Sequence, residues 1–181
     1  EPDRWDTSSL KLMISSGAMF TTEVKRGLID HVPELAIADI LGSTEGGMGQ
    51  SIMTKDTPAS ETAKFTLLPV AKVLVPDGSR EVVPGSGEVG MVAQGGMVPL
   101  GYYKDPEKSA KTFKEVDGKR YAFIGDMATI EADGTINLLG RGSNCINTGG
   151  EKVFPEEVEE ALKLHADVAD ALVFGLEDER F

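Results

Sequence analysis

The amino-acid sequence predicts a mixed α/β and β fold with three textures. Residues 1–60 read as a strand–helix–strand piece of a parallel sheet, 61–141 as an antiparallel, barrel-like β unit, and 142–181 as a hinge leading into the start of a small α+β unit. Three observations carry this. Apolar residues alternate over 10–14 and then recur at helical spacing as Val24, Leu28 and Val32, before a short apolar run at 36–41. Between Phe65 and Leu139 the apolar runs are short, Val-rich and separated by the turn clusters Pro-Asp-Gly-Ser, Pro-Gly-Ser-Gly and Glu-Ala-Asp-Gly. After Arg141 a glycine-rich crossing ends at Pro155-Glu156-Glu157, a proline and two acids where the macrodipole favours a helix start.

In chain order, the first strand stops at Ser15-Ser16-Gly17-Ala18, a helix follows Thr21-Thr22, and Pro33 ends it, because proline disfavours helical geometry in the residue before it. Two loops would then open at the carboxyl ends of parallel strands, where open α/β sheets bind ligands. Within the β unit, Asp105-Pro106-Glu107 supplies a cap, a first-turn proline and an acidic first turn, so a short helix is predicted over 105–113. In the last part Val158, Ala161 and Leu162 share a helical face, 168–174 reads as a buried strand, and the acidic run 156–160 reads as a solvated face. Those few elements are too small to close a core alone.

Composition excludes several functions. A formal charge of −12 and a pI near 4.6 oppose binding to a polyphosphate backbone, so nucleic acid is not an expected partner. No apolar run approaches the roughly twenty residues that span a bilayer. The single cysteine, Cys145, has no second thiol for a disulfide or a metal knuckle, so a reducing, cytoplasmic compartment is expected. The chain opens on Glu1-Pro2 without a Met and stops just after an apolar run, which reads as an internal piece of something longer.

Four short segments could carry chemistry. Leu41-Gly42-Ser43-Thr44-Glu45-Gly46-Gly47 leaves an apolar strand with backbone N–H groups, a hydroxyl and a carboxylate close together; it suits a phosphate with its Mg2+, though alone such a run is more often a plain glycine turn. Ser16-Gly17-Ala18 ends the preceding strand in small residues. Tyr121-Ala-Phe-Ile-Gly125-Asp126 ends an alternating strand in an aspartate that can accept two hydrogen bonds, from a sugar diol or within an Asx turn. Gly140-Arg141 opens the run Gly-Ser-Asn-Cys-Ile-Asn-Thr-Gly149-Gly150-Glu-Lys-Val-Phe-Pro155-Glu-Glu-Val-Glu159, in which Arg141 is a ligand-facing or a surface cation. His31 and His165 have no triad or metal partners at a meaningful spacing and read as capping or solvated residues.

Taken together and in this order, the segments resemble the signatures of the adenylate-forming superfamily of acyl-CoA synthetases, adenylation domains and luciferases. INTGGEKVFPEEVEEAL followed by VADALVFGLEDERF is similar in particular to actinobacterial-type synthetases acting on fatty or sterol-derived acids. The resemblance implies an AMP-forming acid–thiol ligase using ATP, Mg2+ and coenzyme A, with 1–141 ending a large domain and 142–181 beginning a small one. It implies that Thr44 binds phosphate and Glu45 holds the metal, both serving catalysis. Ser16, Gly17 and Ala18 would line the adenine and acyl pockets, Leu41, Gly42 and Ser43 the nucleotide, Asp126 and Arg141 the ribose, and Gly149 and Gly150 the pantetheine arm. Leu41 stands where the family has an aromatic residue over adenine, and Ser143 where it usually has a charged hinge residue. The phosphate loop and the adenylating lysine would lie outside these residues. An acyl-AMP ligase, a peptide-synthetase adenylation domain and a non-catalytic nucleotide-binding module are the alternatives.

Overall fold

The computed structural model describes residues 4–58, 62–148 and 151–177. It opens with β1 (Leu12–Ser16), α1 (Thr22–His31) and β2 (Ala36–Ser43), and β1 pairs with β2 in parallel. The helix starts where expected, with the Thr21 hydroxyl accepting a hydrogen bond from the Val24 N–H. Its buried face follows the predicted one in part, since Leu28 and Val32 pack against the core. Val24 is exposed, whereas Ile29 and, unexpectedly, Lys25 are buried. The reason lies across the sheet: Lys25 Nζ meets Asp39 of β2 at 2.7 Å, and both side chains are almost wholly enclosed. Around them Ile29, Leu35, Ile37 and Met53 form a small apolar core.

A strand that sequence periodicity did not mark follows at once. β3 (Gly46–Met53) returns antiparallel to β2, so Thr44 and Glu45 become the tip of a hairpin. The sequence Gly-Gly-Met-Gly-Gln shows no alternation, and it becomes a strand through its neighbours rather than its propensity. The β unit continues as β4 (Lys64–Leu67), β5 (Ala71–Leu74), β6 (Gly90–Gln94), α2 (Pro106–Thr112), β7 (Phe113–Val116), β8 (Lys119–Ile130) and β9 (Ile136–Arg141). The nine strands form one continuous sheet in the order β1-β2-β3-β4-β9-β8-β6-β5, with β7 against β8. The sheet curls until β3 lies against β6. Leu41, Met48, Phe65, Val73, Val92 and Ile136, drawn from six strands, bury one another in the enclosed core, so the unit is barrel-like in packing although its hydrogen-bonded order stays open. In α2 the Asp105 carboxylate accepts from the Lys108 N–H and proline occupies the first turn, as the sequence predicts.

After a 3-10 turn at Gly142–Asn144, β10 (Ile146–Asn147) and β11 (Lys152–Val153) form a small antiparallel pair, and α3 (Pro155–Lys163) follows. Residues 168–174 do not form the expected buried strand. Leu172, Phe174 and Leu176 are largely exposed, because no described strand offers them a ladder to join. The Val173 N–H donates to the Glu159 carboxylate at 2.8 Å, which ties this stretch to α3. No helix among the described residues is long and apolar enough to cross a membrane.

Candidate nucleotide site

Two β-bulges sit where the candidate residues are. In the β2–β3 pair the register shifts between Leu41 and Gly42, and in the β8–β9 pair between Met127 and Ala128, immediately after Asp126. A bulge bends a strand and re-aims the side chains beside it, and here both re-aim residues toward the same end of the sheet.

The first cavity has a volume of about 180 Å3, and its walls include Gly17, Ala18, Leu41, Gly42, Asp126 and Arg141. Asp126 and Arg141 are directly opposed residues of β8 and β9, and Arg141 Nε stands 2.8 Å from Asp126 Oδ1. Asp126 is only 7% exposed while the guanidinium is half open to solvent. Burial pushes the Asp126 carboxyl above its ordinary range; Arg141 opposes this, and the negative charges of Glu156 and Glu45 add to it. Leu41 lines this cavity from one side and belongs to the β core on the other, an aliphatic wall able to offer a ligand dispersion contacts but no aromatic stacking. Ser16 is not among the lining residues. Its hydroxyl donates to the Ile40 carbonyl at 2.9 Å, which ties β1 to β2 and leaves the wall to Gly17 and Ala18.

The second cavity, about 310 Å3, adjoins the hairpin tip and is lined by Ser43, Thr44, Glu45, Tyr102, Lys108 and Arg141 among others. The Glu45 N–H donates to the Ser43 hydroxyl at 3.2 Å, and the Tyr102 hydroxyl donates to Glu45 Oε1. Burial pushes the Glu45 carboxyl up, but hydrogen bonds from Ser43 and Tyr102, its own backbone and the Lys108 ammonium outweigh it and hold the group below its ordinary value. The Tyr102 phenol is pushed up, first because it donates to that carboxylate. No three His, Cys, Asp or Glu among the described residues could hold a metal by themselves. A magnesium ion carried in on phosphates needs only one or two protein carboxylates, and an ionised Glu45 beside an open, hydroxyl-lined cavity fits that requirement.

Asp126 and Thr44 thus lie in adjoining cavities rather than in one, and Arg141 stands in the walls of both. Gly149 and Gly150 fall outside the described residues. Ser143 is exposed and donates to the Asn144 side-chain oxygen at 3.2 Å.

Sequence reasoning missed several residues of these walls. Glu156, assigned to a solvated face, instead lines the first cavity, and its Oε2 is buried without a hydrogen-bond partner. It packs so closely on Gly140 that a Cβ there would collide with the carboxylate. Asp39 lines the same cavity while paired to Lys25. Tyr102 and Lys108 enter the second cavity from a segment whose only local signal was a helix cap. No spacing in the sequence connects Tyr102 or Lys108 to the motif residues, and Glu156, although inside the run that Gly140 opens, gave no sign that it faces a cavity.

No family model matches the chain. A medium/long-chain-fatty-acid–CoA/3-oxocholest-4-en-26-oate–CoA ligase of Mycolicibacterium smegmatis is 49% identical over 178 residues, and a 3-oxocholest-4-en-26-oate–CoA ligase of Rhodococcus rhodochrous is 48% identical over 180. Each alignment covers 98% of this chain and 32% of the relative, so the chain spans about a third of the length of these curated relatives. Among solved structures, the anthranilate CoA ligase AuaEII in complex with anthranoyl-AMP is similar with a TM-score of 0.76 and 27% identity, over 96% of this chain and 33% of that one. The likeness to adenylate-forming acid–CoA ligases that the motifs carry therefore extends along almost the entire sequence.

Proposed function

We propose that this chain, homologous over nearly all its length to adenylate-forming acyl-CoA ligases, supplies the nucleotide site and the start of the domain hinge of an AMP-forming acid–thiol ligase. The observation that carries the reading is Arg141: ion-paired to Asp126, it walls both cavities, so a sugar at Asp126 and a phosphate tail at Thr44 and Glu45 would lie on either side of one cation.

In this reading Asp126 accepts hydrogen bonds from the ribose diol of ATP, Gly17, Ala18, Leu41 and Gly42 enclose the base, and Ser43 and Thr44 donate to phosphate oxygens. Glu45 would hold Mg2+, which when bound offsets phosphate charge. A carboxylate oxygen of the acid attacks the α-phosphorus as the bond to the bridging oxygen breaks, giving acyl-AMP and pyrophosphate. The thiolate of coenzyme A then attacks the acyl carbon, and AMP leaves with the C–O bonding pair. The residues contribute by positioning and by fixed charge where charge moves, the two means that lower such barriers most. Substrates of the sequence relatives make a fatty or sterol-derived acid the proposed acyl donor, with boundaries between structural units near residues 60 and 141 and the cytoplasm as the site of action. Gly149 and Gly150 would pass the pantetheine arm, and the 181 residues alone would be inert.

The test is ATP–pyrophosphate exchange by the intact protein over a panel of fatty and sterol-derived acids. Exchange that depends on the acid and is lost in Asp126→Ala supports the reading, and exchange unchanged by that substitution overturns it. Transfer to a carrier-protein phosphopantetheine in place of coenzyme A would make the protein an acyl-AMP ligase. Acyl-adenylate formed by the isolated 181 residues would overturn the proposal that they are inert.

A further inference from the structure

Tyr102 belongs to none of the motifs that single out the site, yet its hydroxyl donates to Glu45 Oε1 across 57 residues of sequence. The surrounding contacts are built to keep it there. The Tyr102 ring stands 5.3 Å from that of Phe113, centroid to centroid, and the Lys108 ammonium sits 4.4 Å above its face, a cation–π distance. The Tyr102 N–H donates to the Ser109 hydroxyl at 2.8 Å, and that hydroxyl donates to the Asp105 carbonyl at 2.6 Å, clamping the turn before α2 to the helix. A side chain at Gly101 would press on the Ser109 hydroxyl, so the clamp closes only over a glycine. Glu45, by contrast, sits at a hairpin tip beside Gly46, where its N–H donates to the Ser43 hydroxyl.

We infer that Tyr102 is the positioning residue of Glu45, orienting its carboxylate so that the other oxygen faces the ligand cavity. The inference rests on the proposed role of Glu45 toward magnesium nucleotide. A carboxylate that must meet a metal loses affinity when the neighbour that orients it is removed, typically by roughly 10–100-fold. A tyrosine that only packs would owe its effect to the ring, and the hydroxyl would be dispensable.

Isothermal titration of ATP into the intact protein, with and without magnesium, separates these. In Tyr102→Phe the ring and its packing remain. The expected result is magnesium-dependent ATP binding weakened by about 10-fold or more, with magnesium-free binding and the unfolding midpoint unchanged. Ser109→Ala, which releases the clamp and leaves the hydroxyl, is expected to weaken the same term by a smaller factor, and it serves if Tyr102→Phe fails to fold. Magnesium-dependent binding equal to wild type in both variants overturns the inference while leaving Glu45 in place. If Glu45→Gln is itself without effect on magnesium dependence, the assignment of Glu45 falls and the inference falls with it. Equal losses with and without magnesium would show a structural role only and also overturn it.

Discussion

Asp126 and Glu45 stand in the two cavities on either side of Arg141, and their surroundings drive these two carboxyls in opposite directions. Asp126 is enclosed between β8 and β9 and is pushed toward protonation, its half-exposed guanidinium partner compensating only in part. Glu45 stands at an open hairpin tip and is held ionised by hydroxyl donors and a nearby ammonium. The difference teaches that burial and the supply of donors, more than one neighbouring cation, set the direction in which each carboxyl is displaced. The chemistry follows: the wet, ionised group suits a hard metal, and the enclosed one suits a neutral diol whose hydrogen bonds gain strength away from water.

The contrast can be broken most severely at the wall behind the first cavity. Lys25→Met strands Asp39 as an uncompensated buried charge, and the expected cost is about 3–5 kcal/mol in urea unfolding. Adding Asp39→Leu should recover most of it, since an apolar pair avoids the desolvation of both ions. Failure of the double variant to recover would mean that the pair does more than fill space. Next in size is Asp126→Asn. AMP affinity of the intact protein should fall by roughly 10–100-fold, the worth of hydrogen bonds to a charged acceptor. Stability should change by no more than about 1 kcal/mol, because the lost pair has a half-exposed member and a strained ionisation disappears with it.

Acidity sharpens the comparison further. The folded-state value of Asp126 is raised, so its ionisation opposes folding: its favourable contribution is present below the unfolded value and lost as pH rises through the folded one. Sugar binding needs the ionised form, so AMP affinity should decline with falling pH at a value above the ordinary 3.8 of an aspartate. The smallest effect expected is from Glu156→Gln. Removing that charge lowers the Asp126 value toward its ordinary one, moving the acid limb of AMP binding to lower pH with a few-fold change at most. An acid limb that stays put would show that the Glu156 carboxylate does not act on the site.

Much of the candidate site was legible because its residues sit in short motifs at strand ends, whose order along the chain says more than any one of them alone. Turn glycines and strand alternation marked Thr44, Glu45, Asp126 and Arg141 only as candidates, and the order of the segments and its resemblance to a family gave them roles; the structure gathers all four around two adjoining cavities. For Ser16 the sequence left open what the hydroxyl does, and the structure directs it to the Ile40 carbonyl, a pairing across 24 residues that spacing does not resolve. Glu156 was misread because an acid in an acidic helix looks solvated until the helix is docked. The apolar run ending at Phe174 looks like a strand by periodicity, but a strand is a relation between segments, and the described chain holds no partner for it.

By itself, the sequence determined the local geometry: where α1 and α2 begin, which residues turn, and which small and charged groups end each strand, since caps, prolines and glycines act over a few bonds. Only the tertiary structure decided the long-range pairings, Lys25 with Asp39, Tyr102 with Glu45 and Glu156 against Gly140. Those depend on how a curled sheet brings distant segments together, and burial and bulge register, which select them, are properties of the whole packing rather than of any segment.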